Sequence, residues 1–179
     1  MSEGIELPEP HHDHGDNPLV IPVSVTISIL AVLVAIVTLL GHRAHTEELS
    51  RETQAASRWT QFQAKSIRQH EAENTSDIVN LVAGLDKEKG EALRQKYEKQ
   101  LEHYASDKED VSEQAKELEA ERDLAARKAD RFDAGEALLE IGLVICSITL
   151  LAKNKGFWFA GMAIGAGGVF MAISAFLVH

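Results

Sequence analysis

The sequence predicts an all-α membrane protein: three transmembrane helices, with a long antiparallel helical hairpin of coiled-coil pattern between the first and the second. Three observations carry this. Charged residues make up 26% of the 179-residue chain, yet three apolar stretches are almost free of them. The segment between the first and second stretch is rich in Glu, Ala, Lys, Gln, Arg and Leu, all strong helix formers, and lacks proline. One weak point near its middle divides that segment into two arms of similar length.

Residues 1–17 form an acidic tail with Glu3, Glu6, Glu9, Asp13 and Asp16 and no Lys or Arg, a composition that predicts disorder. Residues 18–41 follow as the first span. Its 24 residues, PLVIPVSVTISILAVLVAIVTLLG, are uncharged and long enough to cross a hydrocarbon core of about 30 Å at a rise of about 1.5 Å per residue. Pro18 and Pro22 stand near its start, where a missing N–H costs least. A cleaved signal peptide wants a basic leader and a shorter apolar core. Here the leader is acidic and the core long, which predicts an uncleaved span.

The second span is placed at 136–152 and the third at 157–178. The second is short and carries Glu140 in its first turn. The third is uncharged and opens on Phe157 and Trp158, aromatic rings that favour a membrane interface. Only Lys153–Gly156 lies between them, which predicts a tight antiparallel pair.

The middle segment, 42–135, predicts the hairpin. Leu85–Gly90, flanked by Gly84 and closed by Gly90, is the expected tip; Asn74–Asp77 is a second weak place, because these residues prefer caps to helix interiors. His42–Gly84 is 43 residues and Gly90–Gly135 is 46, so each unbroken arm would reach roughly 65 Å. In the second arm, positions spaced 4,3,4,3 are Tyr97, Leu101, Tyr104, Lys108, Val111, Ala115, Leu118, Arg122, Ala125, Ala129 and Phe132. Nine of these eleven are apolar or aromatic, the pattern of a narrow coiled-coil seam. The first arm offers a looser stripe, Leu49, Ala56, Trp59, Phe62 and Ile67, and Ile78, Leu81, Val82 and Leu85 make a short apolar face near the tip. So thin a rod buries little surface alone, which predicts self-association or a partner. Trp59 and Phe62 are the candidate anchors.

The net charge of −10 comes from the tail and the middle segment. An acidic insert without a basic stripe excludes nucleic acid as a partner. Near the span ends, Arg43, Arg51, Arg58, Arg122, Arg127, Lys128 and Arg131 stand on the hairpin side against Lys153 and Lys155 on the other. The positive-inside rule then puts the hairpin and the C-terminus in the cytoplasm and the tail outside.

Three features are candidates for chemistry or contact. Glu140 would be costly inside a span unless paired, and Arg43 and His42 at the end of the first span are its candidate partners, with Glu136 one turn earlier on the same face. The third span carries Gly161, Gly165, Gly168, Ala172 and Ala175 at steps of 4,3,4,3, a small-residue seam that lets helices approach closely in lipid. In the tail, His11, His12 and His14 with Asp13 and Asp16 hold weak metal-ligand potential; a solvated tail is the plainer reading. The single cysteine, Cys146, reads as an apolar packing residue. No nucleophile–base pattern, zinc-protease motif or nucleotide loop occurs, and no cofactor is implied.

The organisation resembles an uncharacterised family of bacterial inner-membrane proteins known as a domain of unknown function. The residues that carry the resemblance are Gly41-His42 at the end of the first span, the stretch Trp59-Thr60-Gln61-Phe62-Gln63-Ala64-Lys65-Ser66-Ile67, and Glu140 opening the final two-span hairpin. That family supplies no activity. The sequence thus predicts a non-enzymatic membrane scaffold or accessory subunit, a homo-oligomer or part of a larger membrane complex. A small channel or transporter using Glu140 and a metal-responsive sensor using the histidines are the alternatives.

Overall fold

The computed structural model describes residues 18–82 and 87–178. Three helices account for nearly all of them: α1 (Val20–Val82), α2 (Lys87–Ala152) and α3 (Lys155–Ser174), followed by a 3₁₀ turn, Ala175–Leu177. No strand occurs among the described residues. Each of the three α-helices contains a stretch long and apolar enough, by length and composition, to cross a membrane.

α1 runs 63 residues without interruption, from the uncharged stretch into the charged one. The second weak place, Asn74–Asp77, does not interrupt it. Thr75 returns its hydroxyl to the Glu71 carbonyl one turn back (2.7 Å), so a residue suited to capping is accommodated inside the helix. α2 is likewise one helix of 66 residues. The boundary expected at 135/136 lies inside it, because no residue there breaks the ladder. Lys87 to Gly90, expected in the tip, belong to the first turn of α2. Residues 83–86 lie outside the described residues, as do Leu85 of the tip face and the whole tail.

The link between α2 and α3 is shorter than the four residues expected. Lys153 takes a positive φ of 50°, the left-handed conformation that ends helices. Asn154 then caps α3, its Oδ1 accepting from the Gly156 N–H at 2.9 Å.

The chain divides into two units. The first holds residues up to Thr38 together with Ala134–Ile173; the second holds Leu39–Asp133 and Ser174–His179. In the first, α1 buries Val23, Leu30 and Val37, α2 buries Leu139, Cys146 and Thr149, and α3 buries Gly161, Gly165, Gly168 and Ala172. In the second, α1 and α2 are antiparallel: His45 meets Asp133, Arg51 meets Glu121, Trp59 meets Glu119 and Lys65 meets Asp107. Its buried residues are small, Ala44, Ala55, Ala72, Val111, Ala115, Ala125 and Ala129, with Phe132 the largest.

Candidate functional site

In the first unit the organising contact is backbone against backbone. A Cβ placed on Gly142 would lie 2.8 Å from the Gly161 carbonyl oxygen and 3.0 Å from the Gly165 nitrogen. One on Gly161 would lie 2.7 Å from the Gly142 oxygen and 2.5 Å from Cys146 Sγ. One on Gly168 would meet the Gly135 oxygen at 2.7 Å, and Gly165 is closed by Leu30 of α1 at 2.8 Å. The small-residue seam of α3 therefore faces α2 and α1 of its own chain. α2 supplies the matching glycines, Gly135 and Gly142, which sequence reasoning passed over; their seven-residue spacing was the available signal. Ala175, the last seam residue expected, is buried in the second unit, where Phe176 meets Phe132 edge-on at 5.6 Å.

Polar contacts join the helices of this unit, although the buried Thr149 hydroxyl makes none among the described residues. Trp158 Nε1 donates to Thr26 Oγ1 at 3.1 Å, and Thr38 donates to Glu136 Oε1 at 2.6 Å. Glu140 lies on an exposed face in a shallow depression with Ala31, Val34, Leu143 and Val144. His42 and Arg43, its expected partners, are exposed residues of the other unit. The carboxylate of this region that does find a partner in the first unit is Glu136, one turn earlier.

In the second unit all eleven heptad positions of α2, Tyr97, Leu101, Tyr104 and Leu118 among them, are buried or half-buried. The inner face of α1 differs from the stripe read in the sequence. It comprises Gly41, Ala44, Glu48, Arg51, Ala55, Arg58, Phe62, Lys65, Gln69 and Ala72, again at heptad spacing. Leu49 and Ile67 are instead 63% and 59% exposed, and Ala56 is exposed too. The inner register was hidden because half of its positions are polar or charged. Trp59 and Phe62 are half-buried and turned towards α2. The Trp59 indole donates to Glu119 at 2.7 Å, its ring meets Phe62 edge-on at 5.5 Å, and Lys108 lies over the Phe62 ring at 5.7 Å.

A comparison with known families matches residues 19–178 to Domain of unknown function (DUF4337). The chain belongs to the DUF4337 family. Neither a curated protein nor a solved structure gives a match.

Two electrostatic clusters lie on the hairpin of this DUF4337 chain. His45 sits between Asp133 (3.0 Å) and Glu48 (3.3 Å). The hydrogen bond to Asp133 raises its pKa above the ordinary value, partial desolvation works against this, and Glu48 adds to the rise. Further along, Lys65 bonds Asp107 and, with His103 nearby, holds that carboxyl below the usual range. On one flank of the hairpin a polar groove of about 430 Å³ is lined by Arg51 and Arg58 from α1 and by Glu117 and Glu121 from α2, with Leu118 beneath. No group of three or more His, Cys, Asp or Glu with metal-binding geometry occurs among the described residues. His11, His12 and His14 lie outside them.

Proposed function

We propose that this chain is a membrane-embedded helical scaffold or accessory subunit without catalysis of its own: the first unit lies in a bacterial inner membrane and the hairpin is presented to the cytoplasm. The observation that carries this reading is the outer surface of the first unit. Ile21, Ile29, Val32, Ile36, Val144, Leu151, Phe159 and Phe170 are 50–89% exposed. So many large apolar side chains exposed on all three helices suit a lipid surround better than water. The glycine contacts leave its interior to buried side chains and backbone, which supports a structural role over a conduit. The Lys and Arg count on the hairpin side supports the orientation. A single cysteine introduced at Ala92, an exposed residue near the start of α2 (with Cys146 replaced by Ser), tests that orientation: the cytoplasmic reading expects protection from an impermeant maleimide in intact cells and labelling after permeabilisation, and labelling in intact cells would reverse it.

The scaffold role is tested by purifying the full-length chain from its native membrane in mild detergent and weighing the particle. The expected result is a defined oligomer or a stoichiometric companion; a bare monomer overturns the reading. The second reading, an ion-coupled component, draws on Glu140, a carboxylate whose nearest neighbours are apolar. It requires a flux in proteoliposomes that Glu140→Gln abolishes, and absence of any flux from the wild type removes it.

A further inference from the structure

We infer that the polar groove on the hairpin is a contact surface for a second copy of this chain, in a parallel two-fold dimer in which Arg58 of each copy meets Glu117 of the other. The inference rests on the membrane reading above, because that reading fixes the geometry. Copies inserted in the same sense into one bilayer are related by rotation about the membrane normal, so every residue keeps its height. With the two-fold axis in front of the groove, α1 of one copy faces α2 of the other, and the interface uses the same patch twice.

The charges in the groove suit that arrangement. Its α1 wall is basic, with Arg51 and Arg58, and its α2 wall is acidic, with Glu117 and Glu121. The bonds Arg51–Glu121 and Trp59–Glu119 place Arg58 at the level of Glu117. Within one chain that pair is not made. Arg58 donates only to the neighbouring Gln61, at 3.1 Å, and Glu117 has no hydrogen bond or ion pair among the described residues. The rotation sets the basic wall of each copy against the acidic wall of the other at matching height, so both unpaired charges gain an opposite charge twice per dimer. A copy inserted upside down, or rotated to bring α1 against α1, would set like charges together. The groove is concave, and Gln54, Gln61 and Gln114 along its walls can bond across the same axis. Its occupant is thus selected by charge, whereas nothing comparable marks the apolar stripe of Leu49 and Ile67.

The test uses full-length chains in nanodiscs or mild detergent, with association followed by energy transfer between dye-labelled copies. The wild type is expected to associate. Arg58→Glu alone and Glu117→Arg alone set like charges across both halves of the interface, and each is expected to weaken self-association roughly tenfold or more. Mixing the two single variants restores opposite charge at both pairs, so they are expected to associate with each other at near wild-type strength, as is the double variant Arg58→Glu/Glu117→Arg with itself. Recovery on mixing cannot come from variants that failed to fold. If both single variants associate as strongly as the wild type, or if mixing gives no recovery, the groove is not the interface, and the scaffold reading stands on whatever oligomer or companion the native particle contains. If the wild-type chain is monomeric and without companion, the scaffold reading falls and the dimer with it.

Discussion

The two units of this chain use the same secondary structure and hold it together by different means. In the first, glycines let backbones touch, and the large side chains facing outward are mostly apolar. In the second, the inner face of α1 is a mixture of alanines with Glu48, Arg51, Lys65 and Gln69, and several large apolar residues point outward. The difference follows from the solvent each suits. Between apolar helices in lipid there is no hydrophobic gain from association, so close packing has to supply it. Between helices in water, burial of small apolar groups and cross-helix ion pairs share the task, with each exposed pair contributing little.

Substitutions separate the two modes of packing. The largest effect is expected in the first unit. Gly142→Leu forces a side chain into the Gly161 and Gly165 backbone and is expected to destabilise the bundle by about 3 kcal/mol or more, read as a drop in the thermal midpoint in detergent. Gly167, whose Cβ would meet nothing within 4 Å, is the control, and Gly167→Leu is expected to change stability by less than about 0.5 kcal/mol.

In the second unit, Ala115→Leu overfills a position that is 0% exposed and is expected to cost about 1–3 kcal/mol in the same melting experiment. Ala56→Leu on the open face should leave the midpoint unchanged. A smaller loss, about 1 kcal/mol, is expected for Trp59→Phe, which keeps an aromatic ring beside Phe62 but removes the hydrogen bond to Glu119.

The smallest effect is one of pH. Because Asp133 and Glu48 raise the His45 pKa in the folded state, the stabilisation from that cluster is complete below the unfolded value of about 6.5. It is lost as pH rises through the folded value. A melting series from pH 5 to 9 should show that component decline, and His45→Ala should remove it; an unchanged profile in the variant would show that the cluster contributes nothing.

Much of this was legible in the sequence, and what was not has identifiable causes. The spans announced themselves by missing charge. The seam of α3 was visible because Gly161, Gly165 and Gly168 fall at helical spacing in an uncharged run. Its counterpart on α2 was not, because Gly135 stood at an assumed boundary and Gly142 stood alone among larger apolar residues. The register of α2 in the hairpin was readable from Val111, Ala115, Ala125 and Ala129, where small apolar residues contrast with charged neighbours. On α1 the criterion of apolarity selected Leu49 and Ala56, one position removed from the true inner face at Glu48 and Ala55, and Ile67, two removed from Lys65. Ion pairs replace apolar contacts there, and pairing across helices is invisible to periodicity. The helical start at Lys87 was hidden for a plainer reason: Lys87–Gly90 look like a turn, but charged residues at a helix start are ordinary.

In the proposed arrangement one continuous helix, α1, passes from lipid to water, and spin labelling along it is the direct test. With Cys146 replaced by Ser, nitroxides placed singly at Ile29, Ile36, Ile67 and Ile78, each 50–59% exposed, would be compared in proteoliposomes for collision with oxygen and with a water-soluble nickel chelate. Labels at Ile29 and Ile36 are expected to collide with oxygen and to be shielded from nickel, while those at Ile67 and Ile78 show the reverse. Nickel access equal at all four positions would contradict it.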